Sequence, residues 1–334
     1  MRLKAVIRVL VAVIAVALVA GYGFLYFQDH SRLKGLIEQA VQDASGRQLV
    51  IRGDLSLALS LKPTLEVKDV TLANTSWGSE PQMVTVGLLR VRLKLLSLFA
   101  GEVRFKDIEL ADTRVLLEKD ADGQANWFFS PDNAARADVA IRNFGIKRLQ
   151  IEQLNITLRS DETGLADEHY TVDSLKLKTT SDKRSLEVEL EGYSNQQHLS
   201  LTGTTGLLRD LFSGSHFPLS LSGEVAKARV LINGSIANAL TLTGIDLGLQ
   251  GSGSDLAAVG TLFRVRLPAT RHFNIQAQLA GDYNSLSARQ LKGWFDLTVM
   301  KLEVGGRVDG LSVSNELHLD VKGSGDDLAR LGQA

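Results

Sequence analysis

Six histidines, His30, His169, His198, His216, His272 and His318, are the first residues to test for metal or general-base chemistry, and none lies three or four residues from another. Two imidazoles on one helical face need that spacing to share a zinc ion, so no helical metal pair is encoded. Gly251-Ser-Gly-Ser254 has the small, serine-rich character of a nucleophile loop. However, no G-x-S-x-G elbow, P-loop or G-x-G-x-x-G follows a strand-like run. An offset copy of the loop reads Gly325-Asp-Asp327 where the first reads Gly253-Ser-Asp255, which fits a turn and helix cap better than catalysis. Asp120 and Asp122 could face a cation together, but Asp122-Gly123 is also a hairpin signal, and the hairpin is the stronger reading. The chain has no cysteine, which removes thiolate catalysis, thiolate metal sites and disulfides. The expectation is a protein that is not an enzyme and needs no metal or cofactor.

The charge balance excludes another class. Lys and Arg number 37 and Asp and Glu 38, for a formal charge of −1, whereas a nucleic-acid binder needs a basic domain or stripe. Hydrophobic residues at 44% against 22% charged point to an ordered core. Aromatics at 6% are too sparse for a stacking platform.

The elements around these residues begin with an anchor. Arg2, Lys4 and Arg8 precede an uncharged run of 19 residues from Val9 to Phe27. At about 1.5 Å per residue a helix of that length spans roughly 28 Å, close to the hydrocarbon thickness of a bilayer. Tyr22, Tyr26 and Phe27 gather at its far end, as in an interfacial aromatic belt. The rival is a cleaved signal peptide, with Ala15-Val-Ala17 as a small-residue site, but the apolar run continues well beyond it. The basic residues flanking the span are balanced, so the short N-terminal tail alone favours a cytoplasmic N-terminus. Leu33, Leu36, Ile37, Ala40 and Val41 then form one stripe of a helix over 31–44, suited to a membrane surface or to the end of a sheet.

From Gln48 onward the dominant period is two. Leu55, Leu57, Leu59 and Leu61 alternate with small or polar residues, as do Leu65 with Val67 and Val84 with Val86 and Leu88. The phase then slips to Val91, Leu93 and Leu95, which predicts a bulge near Leu88-Leu89, and a second is expected near Lys106-Asp107. About fourteen such runs follow one another, separated by Gly, Asn, Asp and Ser, the pattern of an antiparallel sheet with one apolar face. Short helices are expected at 95–100, 206–212 and 255–263. Gly251–Gly260 matches Gly323–Gly332 at seven of ten positions, 72 residues apart, so the sheet reads as modular and the sequence as cut within a repeat. The polar, aperiodic stretch 130–138 is the best internal boundary. It gives an anchor over 1–28, a first β domain over 29–130 and a β-repeat extension over 139–334.

Residues 46–129 carry a further pattern. Gly46-Arg-Gln-Leu-Val-Ile-Arg-Gly53-Asp54 is followed by strands ending in Val70-Thr-Leu-Ala-Asn74, then Trp77-Gly78, Gly101-Glu-Val-Arg-Phe-Lys-Asp-Ile-Glu-Leu110 and Asp122-Gly123-Gln-Ala-Asn126-Trp127. In this order, behind an N-terminal membrane helix, the pattern resembles the AsmA family of Gram-negative bacteria. That resemblance implies a mainly β fold: a transmembrane helix and a short amphipathic helix, then a long, twisted antiparallel β-sheet curled into an apolar groove, with few short helices. It further implies a single-pass inner-membrane protein with its bulk in the periplasm, linked to phospholipid movement and outer-membrane assembly. Gly53, Asp54, Trp77, Asp122, Gly123, Asn126 and Trp127 are structural in that pattern.

Two uses of the apolar face stay open. In one, Leu55, Leu57, Leu59, Leu65, Val67, Val84, Val86 and Leu88 line the membrane-proximal end of a groove for acyl chains, and the partners are phospholipids, the inner membrane and outer-membrane assembly components. In the other they are dry core in a periplasmic scaffold that acts on outer-membrane protein assembly through its edges.

Overall fold

The computed structural model describes residues 30–58, 63–93, 105–127, 147–160, 167–212, 214–239, 241–262, 266–297, 300–311 and 316–325. The expected span Val9–Phe27, Leu59, Leu61, the expected helix over 95–100, the boundary 130–138 and most of the second repeat copy lie outside them. Among the described residues no helix is long and apolar enough to cross a membrane.

Helix α1 (His30–Ser45) leads into one sheet of sixteen strands. They are β1 (Leu49–Ile51), β2 (Leu55–Ala58), β3 (Thr64–Ala73), β4 (Gln82–Leu93), β5 (Phe105–Lys119), β6 (Arg148–Ser160), β7 (Glu168–Thr179) and β8 (Leu186–Ser194). Then come β9 (Gln197–Thr205), β10 (Phe217–Val225), β11 (Ala228–Asn238), β12 (Thr243–Gly253), β13 (His272–Gly281), β14 (Ser287–Asp296), β15 (Lys301–Asp309) and β16 (Glu316–Ser324). Two short helices interrupt them, α2 (Leu208–Phe212) and α3 (Leu256–Leu262), where the sequence predicts them. From β3 to β16 the strands lie side by side in chain order, and β1 and β2 both pair with β3.

One pair departs from the antiparallel expectation. β5 and β6 run parallel, from Asp107 opposite Arg148 to Lys119 opposite Ser160. A parallel pair needs a long return connection, and the chain between these strands, which includes the 130–138 stretch, supplies it. The sheet itself continues unbroken across that stretch.

The sheet is curled but not closed. Its winding is visible where Lys119, at the end of β5, stands 4.4 Å from the ring centroid of Tyr283, in the turn after β13. These residues belong to opposite rims and to strands eight places apart in the sheet order, so one rim has come round to meet the other. Right-handed strand twist drives such winding, and glycine permits its tightest steps. Gly203 on β9 has φ +152°, and a Cβ there would stand 2.0 Å from the Ser220 carbonyl oxygen on β10.

The predicted phase slip in β4 is real, but its cause is not an extra residue. Val67 pairs with Leu89 and Val70 with Val86, so both strands change phase together around Asp69 and Gly87. Asp69, Asp112 and Gln153 all take left-handed φ, at 50°, 53° and 54°, and sit at the same step of β3, β5 and β6. The change therefore runs across neighbouring strands as a crease. It ends on β7, where Asp173 is the additional residue opposite β8. The expected irregularity near Lys106 is found as a register shift between β4 and β5.

Gly203→Ala is expected to lower unfolding stability by at least about 2 kcal/mol, through left-handed strain and the carbonyl clash. Gly248→Ala, whose Cβ would meet nothing nearer than 3.4 Å, should change it by less than about 0.5 kcal/mol. Urea midpoints compare the two.

Candidate functional site

Pairing in register fixes which side chains share a face. One row crosses every strand from β2 to β16: Leu55, Val67, Leu89, Leu110, Ile151, Leu175, Leu190, Leu201, Gly223, Val230, Gly251, Ile275, Gly293, Val304 and Val321. All are apolar or glycine. A parallel row carries Leu177, Val188, Gly203, Leu221, Ile232, Leu249 and Ala277 over β7–β13. The opposite face is charged: Arg90 binds Glu66 at 2.9 Å and Arg92 binds Asp107 at 2.5 Å, with Lys178 to Glu187 at 2.8 Å farther along. Arg90 holds the Glu66 carboxyl below its ordinary value by hydrogen bond and charge, and Glu66 raises Arg90 in return. The exposed Arg90–Glu66 and Lys178–Glu187 pairs polarise the sheet more than they stabilise it, whereas Asp107 is buried against Arg92.

The apolar face is not uniformly covered. At its first end Ile51, Leu55, Val67 and Val70 form a buried cluster, and Ile37 of α1, Leu49, Leu65, Val86 and Leu89 pack against it. Helix α1 therefore caps the sheet end, one of the two roles its stripe allows. Lys34 Nζ donates to the Gly53 carbonyl at 2.6 Å, and Glu38 accepts the Ile51 N–H at 2.8 Å. Of the residues expected to line a groove, Leu55 and Val67 are thus surrounded by protein, at 5% and 2% exposure. Leu65, Val84 and Val86 share their face. Leu88 pairs instead with Lys68 and Ala111 and falls on the opposite face, its place taken by Leu89. Leu57 pairs with Leu65 in register, and Leu59 lies outside the described residues.

Beyond the cap the face opens. Leu175, Leu190, Leu201, Leu221, Ile232 and Leu249 are all half-buried. The rim above this stretch carries α3, whose Leu256 is buried with Ala228 and Phe273 while Val259, Ile275 and Phe295 pack alongside. Asn195, in the β8–β9 turn, donates from Nδ2 to the carbonyls of Thr261 and Leu262 at 3.2 and 3.1 Å, tying the C-terminal end of α3 down. The helix thus lies along one rim from β13 back to β8–β9. Asp255 caps its other end through the N–H of Ala257 at 3.0 Å, as the repeat predicts.

The same rim carries a buried polar cluster at the end of β5. Asn126 is wholly buried. Its Nδ2 donates to the Leu116 carbonyl at 2.9 Å and to Asn74 Oδ1 at 3.1 Å, while its Oδ1 accepts the Glu118 N–H at 3.1 Å. Glu118, itself 3% exposed, accepts from Asn74 Nδ2 at 2.5 Å, from Ser79 Oγ at 2.6 Å and from the Ser79 N–H. Gly78 is required here, since a Cβ would lie 2.4 Å from Asn74 Nδ2. Arg159 at the end of β6 donates to Ser79 Oγ and binds Asp167 at 2.8 Å, so the cluster ties β3, β5 and β6 together. Asp120 Oδ1 accepts the N–H groups of Asp122 and Gln124 at 3.0 and 2.7 Å, and Lys119 bridges to Ala125 across a Gly123 turn. This is the expected hairpin, with Asp122 and Gly123 in its turn. Trp77 and Trp127 are half-buried beside the cluster, and Gly53 and Asp54 meet Lys68 through backbone hydrogen bonds. Glu118, Ser79 and Arg159 were not singled out by sequence. The one signal was an acid closing the apolar run Val115-Leu-Leu117. No group of three or more metal-type ligands occurs among the described residues.

The AsmA family model matches residues 2–242. The chain belongs to the AsmA family. It is also 25% identical over 308 residues to the AsmA family protein YhjG of Escherichia coli (strain K12), a match covering 83% of this chain. The match covers 44% of that relative, so this AsmA-family chain spans less than half of its length.

Asn126→Ala strands the Glu118 N–H and the Leu116 carbonyl and is expected to cost about 2–4 kcal/mol, read as a fall in the urea midpoint. The Asp167 carboxyl lies below its ordinary value because of the hydrogen bond and charge of Arg159. A depressed folded pKa gives stability that is fully present above the unfolded value, about 3.9. That contribution is lost as pH falls through the folded value. Arg159→Ala should therefore lower the midpoint at pH 7, with the deficit shrinking below about pH 4.

Proposed function

We propose that this AsmA-family protein holds phospholipid acyl chains on its apolar sheet face and supports lipid movement and outer-membrane assembly from an inner-membrane anchor. The observation that carries this reading is the apolar row crossing fifteen strands on a sheet that does not close. A small domain needs only a local core. A face this long, half-buried beyond its α1 cap, suits an elongated apolar ligand whose burial gains about 0.8 kcal/mol per methylene. Family membership supports the same role, and the run Val9–Phe27 behind Arg2, Lys4 and Arg8 supports the anchor, with the sheet exported to the periplasm. No covalent step is needed, because a groove only lowers the barrier for an acyl chain to pass through water. We accordingly read the protein as non-catalytic and independent of cofactors.

Leu221, Ile232 and Leu249 lie side by side near the middle of the open stretch. Ile232→Glu with Leu249→Glu is expected to abolish co-purifying phospholipid, read by native mass spectrometry with lipid extraction, while circular dichroism stays at wild type. Retained lipid on a folded variant would overturn the assignment of this face. Unfolding, with a lipid-free wild type, would show a dry core and move the reading to a periplasmic scaffold.

A further inference from the structure

The two rims of the first half of the sheet carry opposite charge. Strand directions place the starts of β3, β5, β6 and β8 on one rim with the ends of β4 and β7. On that rim Arg92 binds Asp107 at 2.5 Å and Lys178 binds Glu187 at 2.8 Å, and the Arg184 N–H donates to Asp182 in the turn between β7 and β8. Among the described residues Lys106, Lys147, Arg148 and Lys183 are left over as positive charge. Arg148 stands between Asp107, already bound to Arg92, and Lys178, which faces it across the ladder. A cation directly opposite a cation weakens a ladder, so folding alone does not account for the choice. The Lys147 N–H donates to the Lys106 carbonyl at 2.7 Å and the Thr179 N–H to the Lys147 carbonyl at 2.9 Å, which holds the cations on three adjoining strands. Farther into the sheet cations are matched, Arg90 by Glu66 and Glu109 and Lys176 by Glu189. The surplus belongs to the rim.

The opposite rim of the same strands is acidic. There Glu80, Glu118, Asp120, Asp122, Asp167 and Glu168 are met by half as many described cations, Arg47, Lys119 and Arg159. Three hydrogen bonds fix how α1 runs between the rims. Arg47, just past its C-terminal end, donates to the Asn126 carbonyl on the acidic rim at 3.0 Å. Glu38 meets Ile51, which pairs with Val70, and Lys34 meets Gly53, which bonds to Lys68 and so lies nearer the basic rim. The first residue of α1, His30, therefore points toward the basic rim, directly after the apolar run Val9–Phe27. We propose that the basic rim docks on the anionic headgroups of the bilayer that holds this anchor, while the acidic rim is kept away from it. The proposal rests on the anchor reading above. Position supplies the proximity and charge supplies the sign: a cation at an anionic bilayer surface gains about fivefold in binding, and the attraction fades beyond a Debye length of about 8–10 Å. Ile108, Leu149 and Leu177 of the apolar face lie one residue inside Asp107, Arg148 and Lys178. Docking thus brings the edge of that face to the headgroup layer, where an acyl chain can enter.

The chain has no cysteine, so one introduced cysteine carries a fluorophore to one site. The full chain with Ser181→Cys, on the basic rim, or Ala121→Cys, on the acidic rim, is labelled and reconstituted in phosphatidylcholine vesicles with or without phosphatidylglycerol, all containing a lipid with a quencher on its headgroup. Quenching is expected at position 181 when phosphatidylglycerol is present, is lost in phosphatidylcholine alone and in high salt, and is absent at position 121. Lys147→Gln with Arg148→Gln should lower the ratio of docked to undocked chain by about 25-fold, with circular dichroism unchanged, and Lys147→Arg should retain docking. Equal quenching at the two positions, equal quenching in the two lipid mixtures, or no effect of the glutamine pair would each overturn the proposal. Carbonate extraction scores the anchor separately. If the chain is extracted, the anchor reading fails, and flotation of the chain with the same vesicles decides docking by the same dependence on lipid and on the glutamine pair.

Discussion

Residues that face each other across a β-ladder must lie on the same side of the sheet, and everything distinctive about this protein follows from obeying that constraint over sixteen strands. A single strand can change its alternation freely. Within a sheet, a change in one strand drives its apolar residues to the wrong side of both neighbours unless those strands change too. Here they do. Asp69, Asp112 and Gln153 adopt left-handed φ at matching steps, Gly87 occupies the same step of β4, and Asp173 ends the series as an added residue on β7. Without that shared crease, the row from Leu55 to Val321 would break at β3 and the sheet would have two half-apolar faces instead of one.

A face of one kind and a face of the other also set the problem of what covers the apolar side. The molecule answers it unevenly. Helix α1 and the cluster around Val67 seal the first strands, and α3 lies along a rim over Ala228 and Phe273. Winding brings Lys119 to Tyr283 on the opposite rim. The buried Asn126–Glu118–Ser79 cluster holds the rim at β5, where the chain leaves the sheet for its long return to β6. The side chains of Asn126, Glu118 and Ser79 each have a named partner, which is what buried polar groups need to be an asset to the fold. The cover is thus built at the first end and along the rim that carries α3, and the half-buried leucines lie beyond.

Much of this was legible in the residues. Period-two alternation gave the strands, Asp122-Gly123 gave the hairpin, and the Gly-Ser-Gly-Ser-Asp-Leu-Ala sequence gave a turn and helix where α3 lies. The order of Gly53-Asp54, Trp77-Gly78 and Asn126-Trp127 pointed to the family. What was not legible depends on pairing between distant strands. Leu88 extends the alternation of Val84 and Val86 perfectly well along the chain, and only the register with Lys68 shows that Leu89 belongs in the row. The parallel β5–β6 pair is likewise hidden, because strand direction leaves no mark on alternation. Glu118 reads as the solvated end of a strand until Asn74 and Ser79, some forty residues earlier, are seen to bind it.

The contrast between the two sheet ends bears on what such an architecture can become. Adding a strand at the β1 end would displace α1 and break the Glu38 bond to Ile51, so that end is closed by construction. At β16 every strand-to-strand rule that built the preceding rows is still in force: the apolar positions are in phase, the alternate positions are polar, and the ladder is regular. A sheet held together by local pairing grows by repeating its last step, and the apolar face lengthens with it. The repeat of 72 residues, four strands and a rim helix, is that step written into the sequence, beginning at β12 and again at β16.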